Sequence, residues 1–141
     1  MRRLKICKKL NTDPNNLALM HDFVNYCADC LPIKGDFIIN VVSDRKPHGI
    51  PTTGAYFVGQ NKINVYGKNR ALVDVLRSIA HEMTHMMQDE TGMIKLPVQD
   101  AGGFIEDEAN AKAGEIIKLF AKSKPIRGRI YESVKKSGKI L

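Results

Sequence analysis

Ile79-Ala80-His81-Glu82-Met83-Thr84-His85-Met86-Met87 lies in the middle of the longest helical pattern in the chain. On a helix, residues four apart stand one turn above each other on the same face, so His81 and His85 can offer ring nitrogens to one cation. Glu82 stands beside them. This is the H-E-x-x-H arrangement, in which two imidazoles bind zinc and the intervening glutamate acts as general base on a water in the open coordination position.

Five residues can fall into such a pattern by accident, so the surroundings decide. Asn69 is a suitable N-cap and Gly92 a suitable stop, which predicts a helix over 70–91. Its apolar residues Leu72, Leu76, Ile79, Met83 and Met86 recur at spacings of three and four, marking one buried face. His81 and His85 lie off that stripe. The plainer reading makes them ordinary polar-face residues; helical placement, spacing and the intervening glutamate together outweigh it. The metal reading then needs a third ligand.

No histidine follows His85, and upstream only His21 and His48 remain. His21, next to Asp22, reads as structural, and His48 as an exposed loop residue with only a minor claim on the metal. The ligand is therefore sought in the acid-rich start of the next helix, predicted over 104–122 after a glycine-containing loop. On its helical wheel Glu108, Lys112 and Glu115 share one stripe of alternating charge, as expected of a solvent-facing row. Ile105, Ala109, Ile116 and Phe120 form the apolar stripe, flanked by Glu106, Asn110, Ala113 and Ile117. Glu106 is thus the acid at the edge of the core, against a plainer role as a first-turn acid favoured by the helix dipole. Asn110, one turn on, is placed to hydrogen-bond a ligating imidazole. Glu108 is the substitute ligand.

Ahead of the motif, Asp13-Pro14 opens a helix carrying Leu17, Met20, Phe23, Val24 and Cys27 and ending near Leu31-Pro32. The β-branched run Phe37-Ile38-Ile39-Asn40-Val41-Val42 reads as a buried strand. Ala55 to Val58 and Ile63 to Tyr66, joined by Gly59-Gln60-Asn61-Lys62, read as a hairpin with Ile63 and Val65 facing inward. The order helix, strand, hairpin, helix predicts an α+β fold with a small antiparallel or mixed sheet, rather than alternating parallel βαβ units. Beyond Ser123-Lys124-Pro125, the residues Ile126, Ile130, Tyr131 and Val134 allow one more short helix.

The chain has 141 residues, 43% hydrophobic and 26% charged, which describes a single globular domain. No apolar run is long enough to span a bilayer, and Lys8 and Lys9 break up any signal-peptide core, so an intracellular, cytoplasmic protein with no membrane contact is expected. Three cysteines fit that compartment. Cys27 and Cys30 form a lone C-x-x-C and read as small helix residues. Residues 1–10 hold five cations and no acid, and from Lys118 onward eight cations face only Glu132, leaving an acidic body between. Such ends suit solvated termini, or contact with nucleic acid or an acidic partner.

His81-Glu82-x-x-His85 followed by Glu106-x-x-Ala109-Asn110-x-x-Ala113 resembles the gluzincin metallopeptidases, and most the small ImmA/IrrE-type zinc peptidases. The likeness covers about residues 37–120. It implies a minimal zincin-like domain, a zinc-dependent endopeptidase acting on a protein or peptide. It implies one zinc ion held by His81, His85 and Glu106, with Glu82 as the catalytic base. It also implies that the strand before the H-E-x-x-H helix aligns the substrate. The chain departs from the pattern in its basic ends and in lacking the helix-turn-helix region of some relatives. It also has no clear match to the histidine or tyrosine that steadies the oxyanion in larger gluzincins, where His48 and Tyr131 are the available residues. The rival expectation is a zinc-stabilised module binding nucleic acid or an acidic protein through its basic ends.

Overall fold

The structure, a computed structural model, describes residues 1–94 and 103–132. Strand β1 (Arg2–Ile6) leads through a 3-10 turn into helix α1 (Pro14–Cys30), and strand β2 (Phe37–Val42) follows. A loop containing a 3-10 turn at Lys46–His48 precedes strands β3 (Gly54–Phe57) and β4 (Lys62–Tyr66). Helices α2 (Leu72–Glu90) and α3 (Gly103–Ser123) come next, and a 3-10 helix at Pro125–Tyr131 closes the described chain. The fold is α+β. Among the described residues no helix is long and apolar enough to cross a membrane.

One sheet runs in the order β1-β2-β4-β3, with β1, β2 and β4 parallel and β3 antiparallel to β4. Two expectations are corrected here. The basic N-terminal segment is a strand, and β1, α1 and β2 make a parallel βαβ unit, because a helical crossover returns the chain to the same end of the sheet. The alternation Arg3-Leu4-Lys5-Ile6 explains the strand, with Leu4 and Ile6 against the core and the cations turned away. Charges on an edge strand also discourage pairing with a stray chain.

Register builds the core face. Leu4, Ile39, Ile63 and Tyr56 form one cross-strand row, and Ile6, Val41, Val65 and Gly54 the next. These rows merge into a single buried cluster with Phe23 and Cys27 of α1, Leu76, Ile79, Met83 and Met86 of α2, and Ile117 and Phe120 of α3. On the opposite face Asn64 is buried rather than exposed, for its amide donates to His48 O at 2.9 Å beneath the loop and accepts from Asn40 Nδ2 at 3.0 Å.

Helix α1 starts as expected, Asp13 accepting from Asn15 N at 2.7 Å with Pro14 in the first turn. Helix α2 does not. Its N-cap position is Ala71, and Asn69 instead takes φ +57° in the preceding turn. The α2 C-terminus carries Asp89 and Glu90, which a helix dipole disfavours. Both have backbone donors to offset this. Glu90 accepts from Lys34 N and Gly35 N at 2.9 and 2.8 Å, and Asp89 from Tyr56 Oη and Gly59 N at 2.5 and 3.0 Å. The hairpin is thereby tied to the helix that carries the histidines.

The basic ends are partly paired within the fold. Arg2 bonds Asp29 at 2.8 Å, and Arg127 meets both oxygens of Asp22 at 2.7 Å while lying 4.7 Å over the Phe120 ring. Ile130 is buried, as a short closing helix requires. The expected loop over 95–102 and the residues Val134, Lys135, Lys136 and Lys139 lie outside the described residues.

Candidate metal centre

Helix α2 buries Leu72, Leu76, Ile79, Met83 and Met86, and this turns His81 and His85 toward the first turn of α3. Small residues on α3, Ala109 and Ala113, are fully buried and let the two helices come close. Glu106 therefore reaches the histidines. Its Oε1 lies 2.6 Å from His85 Nε2 and 3.2 Å from His81 Nε2, and the two Nε2 atoms are 3.2 Å apart.

These three residues offer ligand atoms that all lie within 4.8 Å of one another, on side chains 21%, 14% and 29% exposed for His81, His85 and Glu106. Donors each about 2.1 Å from a tetrahedral ion stand about 3.4 Å apart, so the cluster needs only a small opening to take one. Two imidazoles and a carboxylate are ligands that zinc and other first-row divalent ions accept, and they leave a coordination position for water. The donor set fits the group.

The orientation of His85 is fixed from behind. Its Nδ1 lies 2.8 Å from Gln88 Oε1, while Gln88 Nε2 donates to Ile105 O at 3.0 Å and to Glu108 Oε1 at 2.9 Å. A backbone carbonyl and a carboxylate can only accept, so the Gln88 amide cannot be turned round. Nδ1 of His85 must then carry a proton, which leaves Nε2 as the ring nitrogen that can bind a metal. Glu108, expected on the surface and held as the substitute ligand, is half-buried and bonded to Gln88 instead. Helix periodicity put it in a solvent-facing row; the approach of α2, which periodicity does not contain, covers it.

His81 is held below the ordinary imidazole pKa, mainly by burial and then by the neighbouring His85, with Glu106 and Asn110 opposing. A neutral ring is the form that ligates. Asn110 lines the same cleft, although its side chain is largely exposed.

Glu82 is 8% exposed and has its carboxyl pushed up to about 7. Burial is the main cause; Glu106 adds to it, and His85 and the backbone N–H of Tyr56 pull against it. Strand β3 crosses directly over this side chain. A Cβ on Gly54 would stand 3.1 Å from both Glu82 Cγ and Oε2, so any side chain there would press on the carboxylate. A cleft of about 450 Å³ is walled by Thr52 and Thr53, by Arg70, Asp74, Arg77 and Ser78, and by His81, Glu82, Glu106 and Asn110.

The remaining sequence candidates lie elsewhere. His21 is exposed on α1. His48 and Tyr131 are exposed and do not line the cleft. Cys27 is buried in the core with its thiol pushed up by burial, whereas Cys30 is exposed, and both are free. Sequence reasoning missed Gln88, Gly54 and Arg70. Gln88 left one trace, a polar residue three after His85 on the same helix face; the other two left none. Compared with family models, curated proteins and solved structures, the chain matches none.

Proposed function

We propose that this chain is a zinc-dependent peptidase similar to the gluzincins of the ImmA/IrrE type. The observation that carries the reading is the Glu106 carboxylate set against the Nε2 atoms of His81 and His85, with Glu82 in the same cleft as His81 and Glu106. Zinc bound there supplies a Lewis acid for the scissile carbonyl and lowers the pKa of water toward neutrality. His81, His85 and Glu106 hold the ion, and Gln88 keeps the His85 ring in the ligating tautomer. Glu82 takes the proton of the attacking water and passes it to the leaving amine, a task suited to a carboxylate whose pKa burial has raised toward the working pH.

The outer edge of β3, unpaired among the described residues, supports a mode of substrate binding. β3 ends the sheet order, and its first residue touches Glu82, so an extended peptide added to that edge brings a carbonyl to the cleft. Three ligands among the described residues, rather than four, favour a catalytic over a structural site. The binding-module reading draws less support, since Arg2 and Arg127 are engaged with Asp29 and Asp22.

Protein purified without a histidine tag or added metal should contain near-stoichiometric zinc and cleave a mixed peptide pool. Glu82→Gln should keep the zinc and lose the cleavage. Protein that neither contains zinc nor takes it up, or a Glu82→Gln variant as active as the wild type, would sink the proposal.

A further inference from the structure

The cleft contains a cation that the metal chemistry does not use. Arg70 precedes α2, and its guanidinium is folded back over the first turns of the helix. Nη1 donates to Tyr66 O at 2.7 Å, and Nη2 donates to Asp74 O at 3.0 Å and to Ser78 Oγ at 2.8 Å. All three acceptors are neutral. No described carboxylate lies within ion-pair distance of Arg70, although the group is half-buried and burial holds its pKa below the ordinary value. The nearest acid on the helix, Asp74, turns its carboxylate to Arg77 at 3.2 Å. Taking a guanidinium partly out of water without a counterion costs free energy, and such a group attracts an anion.

Its position relates it to the reacting centre. Ser78, which accepts from Arg70, stands one turn before Glu82 on α2, and Arg77 stands one turn before His81. Four residues are about 6 Å of helix rise. The two cations and Thr52 and Thr53 on the facing wall line the same cleft as Glu82 and Glu106. Of the acids in that cleft besides Glu82, Asp74 is engaged with Arg77 and Glu106 with the imidazoles. A glutamate side chain on the residue beside a bond held at Glu82, or a C-terminal carboxylate there, spans that distance, since an extended chain advances about 3.3 Å per residue.

Resting on the peptidase reading, we infer that Arg70, supported by Arg77, is a specificity residue that binds a carboxylate of the substrate next to the cleaved bond. The guanidinium's rigid fork suits a carboxylate, and its bonds to Tyr66, Asp74 and Ser78 set its direction before substrate arrives.

Zinc-supplemented Glu82→Gln protein, which binds without cleaving, provides the test. Three pentapeptide pools are titrated: acetylated and amidated with a central glutamate, the same with glutamine, and the glutamine pool with a free C-terminal acid. One acidic pool should bind about tenfold tighter than the neutral amide, and which one does identifies the carboxylate as side chain or terminus. Adding Arg70→Met should reduce the preference to less than about twofold; Arg70→Lys, which keeps the charge, should retain part of it. Melting curves establish that each variant is folded. Arg77→Met, at an exposed position, gives a smaller loss if Arg70→Met does not fold. Equal binding of the three pools, no binding at all, or a preference that survives loss of the Arg70 cation overturns the inference. The last result would mean that the metal alone holds the acid. Wild-type protein on the same pools reads the peptidase proposal separately. Cleavage without acidic preference sinks only the carboxylate site, whereas acidic preference without cleavage sinks only the peptidase.

Discussion

Nδ1 of His85 stands 2.8 Å from Oε1 of Gln88, and this contact decides which ring nitrogen His85 presents to an ion. Gln88 is fully buried and its amide is locked by Ile105 O and Glu108, so the ring is oriented from the core side. Gln88→Leu keeps the volume roughly but removes the acceptor. Zinc affinity, measured by competition with a chelator, should fall about 10- to 100-fold. An unchanged affinity would mean that packing alone sets the ring.

Glu106 and Glu108, both in the first turns of α3, should separate cleanly. Glu106→Ala removes an oxygen that faces both imidazoles and should abolish stoichiometric zinc. Glu108→Ala leaves the ligands in place and loosens only Gln88, so zinc content should persist with a loss of affinity within about tenfold. Metal analysis of both purified variants checks this, and the reverse pattern would make Glu108 the ligand.

A burial-raised carboxyl has a signature in stability. Glu82 titrates at about 7 in the folded, metal-free chain against an ordinary value of 4.5, so between those values the folded state binds more protons than the unfolded one. Its contribution is therefore complete below about 4.5 and is lost as pH rises through about 7. His81, with a lowered pKa, acts with the opposite sign, so the comparison must be made against Glu82→Gln. Chelator-treated Glu82→Gln should gain on the wild type by on the order of 1–3 kcal/mol between pH 5 and pH 8 in urea denaturation. A constant difference across that range would mean that Glu82 is solvated.

Gly54→Ala tests the approach of β3. The new methyl would stand 3.1 Å from Glu82 Cγ and Oε2, so the carboxylate or the strand must shift by a few tenths of an ångström. Zinc content should be unaffected, and turnover of a cleaved peptide should fall about tenfold or more, because a displaced base loses alignment. Wild-type turnover in this variant would show that the strand adjusts freely.

Local signals carried much of this fold. Asp13 and Pro14 mark the start of α1, the run Phe37 to Val42 marks β2, and the spacing of Leu72, Leu76, Ile79, Met83 and Met86 orients α2. The same wheel logic set Glu106 apart from Glu108, and Glu106 is the acid that lies against both imidazoles. What escaped was long-range. Alternation in Arg3-Leu4-Lys5-Ile6 is a strand signal, but its charges read as a solvated end, and its parallel partner Phe37–Val42 lies beyond a whole helix. Asn69 failed as a cap because its backbone turns left-handed before the helix begins. Gln88, Gly54 and Arg70 acquire their surroundings only when α2 meets α3 and β3, and no periodicity encodes that meeting.

The candidate ligands are divided between two helices, and the division has a thermodynamic consequence. His81 and His85 stay one turn apart wherever α2 goes, but Glu106 joins them across 25 positions of sequence. An ion at this place acts as a clasp that closes a loop of that size, with the entropic advantage that any cross-link has over a free chain. Metal occupancy and docking of the first turn of α3 then become one equilibrium, each raising the other by mass action. Amide exchange in that turn would slow as the ion is added, so the backbone of α3 itself serves as a gauge of free metal.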